Sequence, residues 1–485
     1  MAKKSQEGIT AKREEDFSEW FTQVIQKCEL ADDRYNIKGF TIFTPWSAKP
    51  MELMYRKLQS ILEKKGHKQY FMPTLIPEQN FKKESSHVEG FTPEVFWVTQ
   101  GGKTKLPEKL ALRPTSETAF YQMFALWIRS YKDLPLKTYQ RAQVFRYETK
   151  ATRPFLRGRE FHWIETHCAH KDLDSAFNQV KEDMQTSQEF LHDFLGLPFM
   201  TFERPAWDKF AGAHRTFAAE IINPNGKVLQ QPSTHIISPE FAKAFGIKYT
   251  DKDEKEKDAW TTCYGPAISR IFASVVITHG DNKGLKFPFE IAPIKIMIVP
   301  IDPSDKKLLK KSEELRNKLE MFGEVEVDLS DKSPGEKFNH WEMKGIPIRI
   351  DLGLKDLDKK QVTLFRRDLD KKIEIKETNL IKEIEKIGKE FTKNLTNEAD
   401  KVFEGRIEKT KDLKEIEKAL DEKKIAKTNF CSVDEYGRTC AEKLKEKIQG
   451  AEVRGTILEE KDKPTGKCPV CGKPAKAVVY VARSY

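Results

Sequence analysis

No apolar run in this 485-residue chain approaches the ~20 residues that span a bilayer, so a membrane-crossing helix is not expected. The N-terminus, MAKKSQEGITAKREEDF, carries basic residues with no apolar core behind them. It reads as a flexible tail of roughly 15 residues and not as a secretory signal. Cysteine is scarce: Cys28, Cys168 and Cys263 are scattered, while Cys431, Cys440, Cys468 and Cys471 gather near the C-terminus. An odd count with a Cys-Pro-Val-Cys knuckle argues against a disulfide framework and for a reduced, cytoplasmic compartment. What the chain has in surplus is positive charge, a formal +10, which suits a polyanionic partner such as RNA or a nucleotide phosphate chain. Its length exceeds what one ordinary core organises, so two or three domains are expected.

The most informative stretch is residues 140–169, QRAQVFRYETKATRPFLRGREFHWIETHCA. Two strand-like runs flank a polar, arginine-rich connection over residues 149–160. Alternation along a strand puts Val144, Arg146 and Glu148 on one face of the first run, and Phe161, Trp163, Glu165 and His167 on one face of the second. Burying so many ionisable groups in a plain core costs several kcal/mol unless each is paired. The pattern therefore predicts a polar pocket floor beneath a basic lid able to hold phosphates.

Three further segments carry chemistry. In LRPTSET (residues 112–118), Thr115 or Ser116 can cap the helix that continues through Phe120 and Phe124. In TTCYGPAISRIFASVVIT (residues 261–278), a strand runs through Gly265 and Ala267 into a helix that Arg270 opens, a geometry in which backbone and guanidinium both approach an anion. From residue 294 onward strands and helices alternate, as in an α/β unit. There Phe338 and Glu342 share a helix face, with Arg349 and Lys355 on and after the next strand. That set provides an aromatic to stack on a base, a carboxylate for base amino groups, and cations for phosphates.

The run around Arg146-Tyr147-Glu148 and Trp163-Ile164-Glu165-Thr166-His167 resembles the second signature motif of class II aminoacyl-tRNA synthetases, most closely the prolyl enzymes of archaeal and eukaryotic-like type. The resemblance extends in order along the chain from Gly39 to Tyr485. It implies an α+β architecture. A class II catalytic domain, an antiparallel sheet with helices, occupies residues 1–285; an α/β anticodon-binding domain occupies 286–400; and a small zinc-binding C-terminal α/β domain occupies 401–485. A long helix over residues 51–65, with Pro73 beyond it, would be the first motif and the homodimer interface.

The implied reaction is ATP-dependent activation of L-proline, followed by transfer to the 3′ end of tRNA(Pro) in translation, with Mg2+ on the phosphates. Arg146 would bridge the substrate carboxylate and the α-phosphate, and Arg270 and Arg157 would hold the outer phosphates. Glu148, Phe161, Gln230 and Ser233 would contact the rest of ATP. Thr115, Glu117, Trp163, Glu165, His167 and Phe210 would form the proline pocket. Phe338, Glu342, Arg349 and Lys355 would read the anticodon. Cys431, Cys440, Cys468 and Cys471 would hold a structural zinc, although eight residues separate the first two, more than the usual short spacing. Only about 90 residues separate His167 from Asp258, which leaves no room for the hydrolytic editing domain that bacterial relatives carry there. Tyr485 matches a terminal tyrosine whose carboxylate lies near the active site. Two alternatives fit parts of the pattern: a threonyl-type sister enzyme with zinc in its amino-acid pocket, and a non-catalytic RNA-binding paralogue.

Overall fold

The alternation in residues 160–170 becomes strand Glu160–His170, paired antiparallel with Leu136–Phe145 along the whole of that strand. A computed structural model of the chain describes residues 8–82, 95–458, 460 and 462–485. This hairpin sits near one edge of a sheet that continues through Trp260–Tyr264, Lys227–Ile237, Ala213–Ile222 and Met200–Glu203. Ile164, on the strand face opposite Trp163, joins a core with Met54, Leu58, Ile271, Phe272 and Val275 from helices Pro45–Lys64 and Ile268–His279.

The basic connection between the hairpin strands is not polar throughout. Its tip is apolar: Phe155 and Leu156 are buried, and the Phe155 ring lies 4.8 Å from Phe43 and 5.2 Å from Phe272. These two side chains anchor the loop into the core, so its arginines are carried on a fixed support.

The helix expected over residues 51–65 begins earlier, at Pro45, with Thr44 as its N-cap residue. Proline is tolerated at a first helical position because that N–H has no intrahelical partner anyway, and Pro50 removes only one further bond. Residues 1–7 of the expected flexible tail lie outside the described residues. From Gly8 on the segment is tied back: Thr10 N–H donates to Gln23 Oε1 at 2.8 Å, and Arg13 N–H to Asn282 Oδ1 at 2.9 Å.

A second sheet follows the order Val325–Val327, Ile296–Pro300, Ile348–Leu352, Gln361–Arg366, Lys371–Lys376, parallel in its first three strands and antiparallel in the last two. Helices Lys306–Leu319 and Leu380–Glu404 bury Leu308, Leu315, Ile384, Ile387 and Phe391 against it. The second of these helices runs on to Glu404 because Leu395 and Ala399 continue its buried stripe.

The C-terminal region builds no sheet of its own. Its strands Ile407–Thr410, Ile425–Phe430, Ala477–Ser484 and Ala451–Ile457 extend the first sheet to eleven strands among the described residues. The join pairs Thr456 with Glu203 and Ile457 with Phe202, and a second contact pairs Lys227 with Arg483.

Candidate active site

The face of Glu160–His170 that alternation singled out does line a cavity, of about 320 Å³. Phe161, Trp163, Glu165 and His167 form its floor, and Thr115, Glu117, Arg146, Phe210, Gln230, Ser233 and Arg270 complete much of its wall. Eleven residues assigned from sequence to proline or ATP thus meet in one place. Glu148 and Arg157 are not among the lining residues. They face each other at 3.9 Å on the loop beyond the strand ends.

At the floor, the Glu165 carboxylate is almost wholly buried, yet both oxygens have partners. Oε1 accepts from Gln140 Nε2 at 2.7 Å; Oε2 accepts from the Ser116 N–H at 3.2 Å and lies 2.9 Å from His167 Nε2. Burial pushes the Glu165 carboxyl up, but His167, Ser116 and Gln140 together outweigh it and hold the group below its ordinary range. His167 moves the other way: burial lowers it, and Glu165 and Glu117 more than offset that, raising it above an ordinary histidine. Each partner thus favours the charged form of the other. Beside it, the Thr115 hydroxyl donates to the Glu117 carboxylate. Ser116 is the N-cap residue of helix Glu117–Trp127, but its hydroxyl makes no capping bond and accepts from Gln140 Nε2 at 2.6 Å. The segment serves the pocket more than the helix.

Ligand atoms of Glu117, Glu165 and His167 lie within 4.8 Å of one another, close enough to raise the question of a metal. The hydrogen bonds answer it. Glu165 is committed to Gln140, Ser116 and His167, and Glu117 accepts from Thr115, so both carboxylates already have protein partners.

At the other end positive charge gathers. Arg270 is pushed down to about 10, first by burial and then by the positive charges of Arg146 and Arg157. Its Nη1 donates to the Gln230 carbonyl at 3.4 Å. Arg146 donates from Nε to the Pro114 carbonyl at 3.1 Å, and its guanidinium lies 5.4 Å from the Phe161 ring centre and 5.7 Å from that of Trp163. Converging arginines beside aromatic faces form a receptor for a planar, multiply charged anion. Gly265 serves this wall differently from the sequence reading, which gave it to the ligand: a Cβ there would stand 3.2 Å from the Trp163 ring, so the glycine makes room for the indole.

Sequence reasoning missed several lining residues: Arg204, Asp208, Thr216, Gln231, His235, Cys263 and Arg454. His235 and Cys263 lie inside segments already singled out and are paired across neighbouring strands, so a sheet register would have found them. Arg454 lies far along the chain, and nothing in its local sequence marks it.

In the second domain, Phe338 and Glu342 share a helix face as expected. Arg349 does not reach outward as the sequence suggested. It is buried, with Nε donating to Asp351 Oδ1 at 2.7 Å and Nη1 to Glu342 Oε1 at 2.9 Å, and its guanidinium lies between the Phe338 and Phe365 rings. It fixes Glu342 in place. Lys355, on helix Leu354–Asp358, is exposed.

The four C-terminal cysteines come together with their sulfurs within 4.8 Å of one another. The long interval between Cys431 and Cys440 is taken up by the turn Glu435–Gly437 and the first turn of helix Arg438–Lys447. Four thiols converging on one point suit a closed tetrahedral ion.

Comparison with known proteins matches this geometry. Residues 96–279 fit the model of the tRNA synthetase class II core domain (G, H, P, S and T), residues 295–387 an anticodon binding domain, and residues 413–485 the C-terminal domain of prolyl-tRNA synthetase. A proline–tRNA ligase of Thermofilum pendens is 47% identical, over 99% of this chain and 100% of that protein. The chain belongs to the prolyl-tRNA synthetase family. The proline–tRNA ligase of Pyrococcus abyssi is 39% identical over 97% of this chain and 98% of its own. Among solved structures, prolyl-tRNA synthetase of Giardia lamblia in complex with prolyl-adenylate superposes with a TM-score of 0.95 at 34% identity, covering 99% of this chain and 100% of that one. The Cryptosporidium parvum enzyme complexed with L-proline and AMP gives 0.92 at 30% identity, covering 99% and 98%. The threonyl-type and non-catalytic alternatives fall away: this prolyl-tRNA synthetase family member is a ligase that forms aminoacyl-tRNA.

Proposed function

We propose that this chain activates L-proline with ATP, releasing pyrophosphate, and then passes the prolyl group to the 3′ end of tRNA(Pro). The observation that carries this reading is the polarity of the cavity. The carboxylates of Glu117 and Glu165 cluster with His167, and Arg146 and Arg157 gather beside Arg270. An amino acid presents a cation and a carboxylate in that order, and ATP adds its phosphates beyond.

The imino group of proline offers two N–H donors, which Thr115 and Glu117 accept. Trp163 Nε1 and His167 Nδ1 are buried without a partner among the described residues, on side chains that line the same cavity. Phe210 covers the ring. The proline carboxylate attacks the α-phosphate in line, held by Arg146, while Phe161 stacks on adenine and Gln230, Ser233, Glu148, Arg157 and Arg270 hold the remainder. Arg157 and Glu148, outside the cavity lining, reach the nucleotide from the loop. Magnesium would arrive on the phosphates, with nucleotide oxygens and water as its partners. Charge stabilisation and positioning carry the reaction, with no covalent nucleophile.

The anticodon is read by Phe338 and Glu342, with Arg349 holding Glu342 and Lys355 contacting phosphate. Zinc is held by Cys431, Cys440, Cys468 and Cys471; elemental analysis is expected to find one ion per chain, lost in Cys468→Ser. The exposed side chains of Tyr35, Ile37, Ile42 and Phe71 support a homodimer. The seven unpaired thiols support a cytoplasmic setting. Tyr485 acts through the phosphate loop: Arg153 Nη1 donates to its hydroxyl at 3.0 Å, and Arg153 and Arg157 exchange both backbone hydrogen bonds. Tyr485→Phe is expected to raise KM for ATP several-fold and leave KM for proline unmoved. Equal values for both substrates in variant and wild type would remove Tyr485 from the mechanism.

Amino-acid-dependent ATP–pyrophosphate exchange across all twenty amino acids tests the reading. Proline gives the strong signal. A hydrophobic pocket rejects a smaller side chain by only about 1–3 kcal/mol per methylene, so cysteine and alanine give weaker, measurable signals, with no internal editing domain to remove the products. Folded protein with no exchange, with or without tRNA, would rule out the activity.

A further inference from the structure

The wall of the amino-acid pocket that carries Phe210 is a short loop, and the loop is docked on the four-cysteine turn. After strand Met200–Glu203 the chain makes one 3₁₀ turn, Ala206–Asp208, before reaching Phe210. The Ala206 N–H donates to the Val433 carbonyl at 2.8 Å. Trp207 turns away from the cavity and packs into the core formed with Cys431, Cys440 and Cys468. Gly437 lets the cysteine turn close beneath it, since a Cβ there would stand 3.1 Å from the Trp207 ring and 2.0 Å from the Ser432 carbonyl oxygen.

On the pocket side, the Phe210 N–H donates to Thr216 Oγ1 at 3.0 Å, and its ring lies 4.9 Å from His235. His235 is itself hydrogen-bonded to Thr216 and Ser233, each at 3.0 Å. One edge of the loop is therefore fixed to the pocket, and the other to the cysteine unit. The same unit sends Arg454 into the cavity lining. Arg454 Nε donates to the buried Glu220 carboxylate at 3.0 Å, and Arg204, at the root of the loop, donates to the Arg454 carbonyl at 3.1 Å and to Gln230 Oε1 at 3.2 Å.

We propose that Trp207 is a positioning residue for amino-acid recognition: seated on the turn Cys431–Gly437, it sets where Phe210 and Asp208 stand, so the C-terminal unit tunes the proline end of the cavity and not the nucleotide end. Trp207 touches no substrate and acts through Phe210. This rests on the reading of the cavity as the proline site. Three polar links and one half-buried indole cross the junction; the nucleotide groups Phe161 and Arg270 stand on other elements, and only the Arg204 link continues to Gln230. Trp207 itself bonds to no nucleotide group, so its effect is expected chiefly on proline.

The experiment compares wild type, Trp207→Ala and Trp207→Phe in pyrophosphate exchange, measuring KM for proline and for ATP separately. Displacing a pocket wall by a fraction of an ångström raises KM for proline about tenfold in Trp207→Ala, with KM for ATP within about twofold of wild type. The ratio of proline to alanine exchange falls in the same variant. Trp207→Phe, which refills most of the seat, restores both. If Trp207→Ala fails to fold, Arg454→Lys provides the second variant. It keeps the charge but loses the forked contact with Glu220, and the same split between substrates is expected. Equal shifts in both KM values, or none, would overturn the proposal. Absence of proline exchange in wild type would instead refute the functional reading on which it rests, so the two failures are distinguishable.

Discussion

Replacing Arg270 with alanine is expected to leave a folded protein whose proline-dependent pyrophosphate exchange has fallen about 10³-fold, the scale of losing one preorganised charge donor in phosphoryl transfer. The structure gives the reason in its own electrostatics. Arg270 is half-buried beside Arg146 and Arg157, and loss of hydration first, then these two cations, depress it to about 10. Holding a cation there is a cost to the folded state, set against the benefit of meeting a polyanion. Two signatures follow that a merely structural arginine would not give. First, the variant should melt no lower than wild type, because a like-charged and poorly solvated group has been removed. Second, Arg270→Lys should recover only part of the rate, since a point charge cannot present two parallel donors to phosphate oxygens. A variant that loses activity and stability together would place Arg270 in the scaffold and not in catalysis.

The cavity floor was legible in the sequence because strand alternation is a local rule. Phe161, Trp163, Glu165 and His167 had to share a face once the run was extended, and they do. Arg270 was legible for a similar reason, being tied to the start of a helix directly after a glycine-containing strand. What alternation could not reveal was which distant strand lies alongside. Arg454 faces Glu220 because strand Ala451–Ile457 pairs with Met200–Glu203, and no pattern within either segment specifies that register. The same limit hid that the strands of the C-terminal domain pair with the sheet of the catalytic domain. Arg349 was misread for a different reason. A cation beside an aromatic and a carboxylate looks the same in sequence whether it faces RNA or is buried between Phe338 and Phe365. The apolar tip of the phosphate loop was hidden by its arginine neighbours, with only Phe155 and Leu156 to mark it.

The Glu165–His167 pair gives the second large effect, and its pH dependence identifies it. Glu165→Gln keeps the volume but removes the charge that holds His167 protonated; burial then acts on His167 unopposed by its main partner and pushes it down. Breaking a buried pair in this way costs about 3–5 kcal/mol at the pH where both partners are charged. Glu165 lies below its ordinary 4.5, so its stabilising share is complete above that value and is lost as pH falls through the depressed native one. His167 lies above its ordinary 6.5, so its share is complete below that value and is lost as pH rises through the elevated native one. The stability gap between wild type and Glu165→Gln should therefore be widest between pH 4.5 and 6.5 and narrow on both sides, as urea unfolding at a series of pH values would show. Over the same range the variant's KM for proline should rise by about two orders of magnitude, because the floor that orders Ser116, Gln140 and His167 around the imino acid has lost its central acceptor. A stability gap that does not vary with pH would mean that His167 is neutral in the native protein, and that a plain hydrogen bond, not an ion pair, underlies the pocket.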